Sequence, residues 1–463
     1  MKRVMTGLAL SAVGGGAWHF WRGYTAKVDV PQGYTAPPLA LDGLDRIPVL
    51  GVITRFRDII TRPVGLVEDS AQRYGDVFTI RIPTRFDLTY LLGREAYDTV
   101  LGLPAEHAAM GPVFGNVPTV GFWFPRRKKD HDSLQELVLT GKRVIAALLG
   151  GRGVTALPET IHAVVAKHTA QWPEEVDLSR VVYPAIYEIC GRYFAGDRMW
   201  DRYGADLVPA LRAIADGIDI PRATLAVTPY RLLMPEYRAT RKLTEVLRRA
   251  RREFPESPLF EAVRAADVHP EDADWMAMYV LWNAMTYPGS YGLWTLVDIL
   301  DTPQVRAAVA AAPNRFDYLS WCMWESIRLS PISSLVRALQ KPLTYEHGGK
   351  HYYLPEGSVV GVAPALLNRD PEIWPEPDSY LPERFRDTPQ PRRALFGAGA
   401  FGCVAADFTR KLIVGFCDEL LSTTHIELTA APPQRRCRVH LTYPANPTPA
   451  TATPRPAHLT AVA

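Results

Sequence analysis

The run Phe396-Gly-Ala-Gly399-Ala-Phe401-Gly-Cys403-Val-Ala405 puts one cysteine in a glycine-rich loop at the head of an apolar helical segment. That combination suits a thiolate bound to iron. The sulfur must stay deprotonated and dry while it points at the metal, and glycines let backbone N–H groups approach it and hold its charge. Phe396 is placed to shield the sulfur from water. Phe408, Leu412, Ile413, Phe416 and Leu420 recur at helical spacing, so a helix over Ala406 to Leu421 would set the thiolate at its N-terminus, where the dipole favours an anion.

Charged residues elsewhere sit where charges are costly. Glu325 and Arg328, three apart and so on one helical face, lie in the apolar run Trp321-Cys-Met-Trp-Glu325-Ser-Ile-Arg328-Leu. Downstream comes Leu381-Pro-Glu-Arg384-Phe385. In this order, Glu-x-x-Arg, Pro-Glu-Arg-Phe and Phe-x-x-Gly-x-x-x-Cys-x-Ala resemble the motifs of the cytochrome P450 family. The resemblance implies haem b as cofactor, Cys403 as iron ligand, and a network of Glu325, Arg328 and Arg384 beneath the haem. Phe396, Gly399, Phe401 and Ala405 then belong to the cofactor-binding loop. Arg337, nine residues after Arg328 in the strand-like run Leu335-Val-Arg337-Ala-Leu, matches a propionate-binding arginine.

Likeness extends to Ile47-Pro-Val-Leu-Gly51, Tyr74-Gly-Asp-Val-Phe-Thr79 and Asn368-Arg-Asp-Pro-Glu-Ile-Trp374, and it covers roughly Pro37 to Leu441. From Val154 to Pro270 it is a likeness of helical character only. Two departures stand out near the haem. Phe401 occupies a position, two before the cysteine, where the family often has Arg or His. The basic cluster Arg126-Arg-Lys-Lys129, with His131 and then Lys142-Arg143, offers a second propionate partner or, since the usual tryptophan–arginine pair is not evident, a solvated charge run, the preferred reading.

The oxygen side departs further. The family's long distal helix usually carries an acid followed by threonine, which relay protons. Here Leu281-Trp-Asn-Ala284-Met285-Thr286-Tyr287-Pro288 puts Tyr287 at the acid and Pro288 at the threonine, making Met285, Thr286, Tyr287 and Pro288 the candidate catalytic residues. A mid-helix proline costs about 3 kcal/mol and frees a carbonyl, which predicts an opened helix there. Pro288 and Trp294 resemble the branch containing cholesterol 7α-hydroxylase, sterol 12α-hydroxylase and prostacyclin synthase, although Met285 stands where that branch has Asn. The resemblance implies a haem-thiolate monooxygenase acting on an apolar lipid-, sterol- or terpenoid-like substrate. Its electrons would come from a separate redox partner, a ferredoxin or a flavoprotein reductase. The lost acid–alcohol pair leaves an alternative, an isomerase, dehydratase or peroxygenase that needs no redox partner. Met110–Phe124, Asp206–Pro229 and Asn283–Pro288 are the expected pocket lining, mostly apolar.

The elements that must position these groups read as mainly α with a small mixed β-sheet, the fold class the resemblance also implies. Amphipathic segments predict helices over Asp130–Leu149, Leu157–His168, Asp206–Gly217, Pro235–Glu253 and Asp272–Leu300. Strands are expected at Val77–Ile82, Leu88–Leu92, Lys350–Leu354 and Ser358–Val362, the last two joined as a hairpin through Pro355-Glu-Gly357. At 463 residues and 47% hydrophobic content, the chain fits one large core. A net charge of +3, scattered along the chain, excludes a nucleic-acid stripe. Five unevenly spaced cysteines argue against a disulfide framework and for a reducing compartment.

Lys2 and Arg3 precede an 18-residue stretch, Val4 to Trp21, without Asp, Glu, Lys or Arg. It falls just short of the roughly 20 apolar residues of a spanning helix. The expected organisation is a weak membrane anchor over 1–25, a linker over 26–36, a cytoplasmic catalytic domain over 37–443, and a disordered Pro/Thr/Ala-rich tail over 444–463.

Overall fold

The computed structural model describes residues 25–41 apart from 27, then 47, 51, 54, 57–58, 61–82, 86–110, 131–151, 156–217, 232–387, 395–437 and 441–455. The expected anchor lies almost wholly outside them. Among the described residues no helix is long and apolar enough to cross a membrane.

Helices carry most of the chain. The first half holds α1 (Pro63–Tyr74), α2 (Arg94–Gly102), α3 (His131–Gly151), α4 (Leu157–Thr169), α5 (Leu178–Ala195), α6 (Asp197–Gly217) and α7 (Pro235–Glu253). The second holds α8 (Pro258–Ala265), α9 (Ala273–Asp301), α10 (Pro303–Ala311), α11 (Arg315–Leu329), α12 (Pro364–Leu367) and α13 (Ala406–Thr423). Buried residues on every side make α9 the central rod, packed by α5, α7, α11 and α13. Small residues bring α5 close. A Cβ at Gly289 would lie 2.7 Å from the Tyr183 ring, and one at Gly292 would lie 2.4 Å from Ile186 Cδ1.

Pro288 does not open α9, which stays helical from Ala273 to Asp301. Packing on all faces offsets the proline's local penalty, a tertiary override of propensity. The helix expected over Asp206–Gly217 is α6, which starts earlier, at Asp197. Its first turns are masked in sequence by charge and by Gly204. α5 was not foreseen, because it is buried all round and shows no amphipathic period.

A five-stranded mixed sheet runs in the order β1-β2-β8-β5-β3, from β1 (Val77–Ile82), β2 (Phe86–Leu91), β8 (Val359–Val362), β5 (Leu335–Leu339) and β3 (Ala108–Ala109). Only β2 and β8 are parallel. Arg337 of β5 stands opposite Val360 of β8. Neighbouring residues of β8, Val359 and Val360, enter separate apolar clusters, so both sheet faces are buried.

The hairpin expected through Pro355–Gly357 does not form. Instead β7 (Lys350–Leu354) folds back on β6 (Leu343–His347) through Gly348 and Gly349, both with positive φ, as a tight two-residue hairpin turn requires. β8 leaves for the larger sheet.

The expected disordered tail is also corrected. β12 (Pro449–Pro454) pairs with both β4 (Glu175–Asp177) and β9 (Thr424–Leu428), and β11 (Thr442–Pro444) pairs with β10 (Arg435–Cys437). Alternating Ala450 and Ala452 face the core, a strand period that the Pro/Thr composition hides.

Candidate active site

The Cys403 loop is built by its own backbone. Cys403 N–H donates to Phe396 O at 2.9 Å, and Gly402 N–H donates to Gly399 O at 3.1 Å across the short 3-10 turn Gly399–Phe401. Gly399 has φ +63, and a Cβ there would lie 2.5 Å from Leu101 O, so only glycine lets the loop sit on the end of α2. α13 begins three residues after the cysteine, as the apolar spacing predicts. Burial pushes the Cys403 thiol up, while the Ala405 N–H and the Lys142 charge pull it back. Solvent still reaches Cys403. Phe396 packs half-buried against the main core. The Phe401 side chain lies outside the described residues.

Lys142 is not the solvated charge expected. From α3 its Nζ donates to Ala400 O and to Gly402 O, each at 2.8 Å. Burial pulls its pKa to about 8 against the favourable field of Cys403. Arg143, by contrast, is exposed and pairs with Glu136. Arg126 to Lys129 lie outside the described residues, as does the His131 side chain.

Glu325 and Arg328 are both fully buried and joined by two bonds, Nε–Oε2 at 2.7 Å and Nη2–Oε1 at 2.8 Å. Arg384 Nε reaches Glu325 Oε1 at 3.0 Å, and so does the Leu381 N–H. Arg328 also donates to the carbonyls of Asn368, Pro377 and Ser379. A glutamate and two arginines thus pin the irregular segment after α12 to α11. This is the expected network, with every strong donor turned onto a named acceptor.

Arg337 is 2% exposed in β5, donates Nη1 to Val336 O at 2.8 Å, and has its pKa lowered to about 10 by burial. Its charge is felt at Lys142, which in turn feels Cys403, so two cations converge beside the thiolate loop. A guanidinium buried against this cost suits an anionic ligand group such as a haem propionate.

Across from the loop, Tyr279, Asn283, Ala284 and Tyr287 form a half-buried stripe at helical spacing on α9, whose other faces are buried. Burial raises the phenols of Tyr279, Tyr287 and Tyr291, and all three feel Cys403. That face looks toward the sulfur. Of the four expected distal residues only Tyr287 lies on it. Met285 and Thr286 are fully buried among core side chains, and Pro288 is buried too. Thr286 lies by Tyr187 of α5, whose phenol burial raises and Thr286 pulls back. Ser290 and Trp294 hold the same back side by donating to Thr442 O.

Asn283 falls within the expected lining Asn283–Pro288, but sequence reasoning missed Tyr279, eight residues before Tyr287, though two helical turns of spacing pointed to it. It missed Lys142 as a loop contact because nothing local couples positions about 260 residues apart. Of the expected pocket lining, Met110–Phe124 lies outside the described residues beyond Met110, and Asp206–Pro229 beyond Gly217.

A thiolate loop at a helix start, a buried Glu–Arg–Arg network and a buried arginine beside a long distal helix define the haem-thiolate class. A family model described as Cytochrome P450 matches residues 304–430 and so all three motifs. It is 32% identical over 130 residues to sterol 14-demethylase of Arabidopsis thaliana, 26% of this chain and 27% of that one. It is 24% identical over 201 residues to 24-hydroxycholesterol 7-alpha-hydroxylase of Homo sapiens, 35% of this chain and 42% of that one. The matched stretches thus span less than half of those two relatives. Obtusifoliol 14-alpha demethylase of Sorghum bicolor is 23% identical over 84% of this chain and 85% of its own. The fold is similar to that of the retinoic acid-bound cyanobacterial CYP120A1, with a TM-score of 0.70 and 17% identity over 85% of this chain and 95% of that one. That family's cofactor is haem b, and the solvent-accessible thiol of Cys403 with the buried charge of Arg337 fits it.

Proposed function

We propose that the protein is a haem-thiolate monooxygenase that oxidises a lipid-, sterol- or terpenoid-like substrate with O2 and electrons from a separate redox partner. The observation that carries this reading is the Cys403 loop, whose Ala405 N–H and helix start favour the anionic sulfur. Haem, when bound, supplies the oxidising chemistry, and a thiolate ligand favours cleavage of the O–O bond.

The chain's own residues then divide the work. Arg337 would hold a propionate. Glu325, Arg328 and Arg384 would keep rigid the segment they pin to α11. Tyr279, Asn283, Ala284 and Tyr287 wall the substrate side. Burial keeps the Tyr287 phenol protonated, so its hydroxyl serves as a hydrogen-bond donor to substrate or water and not as a carboxylate-like base. Sterol-named relatives support a substrate of that size and polarity. The catalytic unit extends from about residue 37 through β12, with any membrane association carried by residues 1–25.

The replaced acid–alcohol pair supports a second reading, rearrangement of an already oxidised lipid without a redox partner. One experiment separates the two. Purified holoprotein is supplied with candidate sterols and lipids, with and without O2 and a reductase system. Product that requires both supports the monooxygenase. Product formed anaerobically without reductant overturns it.

A further inference from the structure

The ten residues Phe396 to Ala405 carry no charged side chain, so the thiolate loop has no cation of its own. Among the described residues a cation reaches it from a helix remote in sequence. Lys142 of α3 reaches the loop and spends two of its three N–H donors on Ala400 O and Gly402 O, at 2.8 Å each. These carbonyls lie three residues and one residue before Cys403. The loop is therefore held from three sides: by α2 through Gly399, by its own backbone bonds, and by α3 through Lys142.

We propose that Lys142 is a positioning residue that clamps the Cys403 loop and places a positive charge beside the thiolate. The clamp keeps the sulfur aimed. The charge stabilises the more negative, reduced state of the iron centre, which raises its reduction potential. The inference rests on haem ligation by Cys403. Lys142 contacts two loop carbonyls, whereas Arg337 donates Nη1 to Val336 O of its own strand.

Three holoprotein variants test it: Lys142→Met, which removes both bonds and charge; Lys142→Gln, which retains an amide donor without charge; and Lys142→Arg, which retains both. Two measurements are made on each, the Soret band of the reduced CO complex and the midpoint potential by spectroelectrochemical titration. Lys142→Met is expected to lose part of the long-wavelength band and to titrate at a more negative potential than the parent. Lys142→Gln should keep more of the band while its potential still falls, and Lys142→Arg should restore both. A loop role without a charge role would change the band and leave the potential in place, which overturns the charge claim. Parental band and potential in both Lys142→Met and Lys142→Gln overturn the whole proposal. If Lys142→Met does not take up haem, Lys142→Gln and Lys142→Arg decide by potential alone. The parent protein is the control for the underlying reading: absence of its own long-wavelength band would refute thiolate ligation, a result distinct from any effect at Lys142.

Discussion

Thr286 and Tyr287, adjacent in the chain, face different sides of α9. Tyr287 belongs to the half-buried stripe that looks at Cys403, and Thr286 is fully buried beside Tyr187 of α5. One residue is about 100° of helical turn, enough to move a hydroxyl from the substrate cleft to the core.

The pair makes a clean contrast. Tyr287→Phe should keep haem uptake and stability but weaken the Soret response to oxygenated ligands and lower product yield. Thr286→Val should leave ligand titrations unchanged. Its hydroxyl has no well-formed hydrogen bond, so thermal unfolding should shift by less than about 1 kcal/mol. Equal effects on ligand titration in both variants would contradict the facing assigned to α9.

Cys403→Ser should abolish the long-wavelength Soret band of the reduced CO complex. Cys322→Ala and Cys417→Ala, in the buried core, should retain it. Retention of the band in Cys403→Ser would remove the basis of the site.

Glu325→Ala strands two arginines, one of them fully buried with it. The expected loss is about 3–5 kcal/mol, seen as poor haem incorporation and an early unfolding transition. Normal holoprotein yield would show that the carbonyl acceptors of Arg328 suffice without the carboxylate.

Acid stability should depend on Glu188. Burial pushes its carboxyl up, but hydrogen bonds from His168, Lys167 and Arg192 outweigh that and hold it at about 2, against 4.5 for the free group. A depressed folded value means that the stabilisation is fully present above pH 4.5 and is lost as pH falls toward 2. Melting curves should therefore show Glu188→Gln less stable than the parent at pH 7, with the gap closing across that acidic window. A gap that widened on acidification would contradict the assignment.

Truncation after Pro444 removes β12, with Ala450 and Ala452 buried between β4 and β9. The shortened protein should melt several degrees lower and expose β9 to proteolysis. An unchanged melting temperature would restore the tail to the status of a dispensable extension.

Local chemistry was legible in the sequence wherever neighbouring residues make the structure. Gly399 and Cys403 share one loop, Glu325 and Arg328 share one helical face, and the apolar period after Ala406 makes α13. Each is settled within a few residues by sterics, helix geometry or the cost of an unpaired charge. Arg337 was marked by the same logic, a charge in an apolar strand. Tertiary packing decided the rest. Pro288 stays helical because α9 is enclosed on all sides. β7 pairs with β6 because the Gly348–Gly349 turn matches strand twist better than Pro355–Gly357 does. The Thr/Ala tail becomes a strand only because β4 and β9 present free edges to it. Lys142 is a loop clamp, and Thr286 a core residue, through contacts with partners far away in the chain. Such contacts carry no local signature, since their energy exists only when the remote backbone has already been brought near.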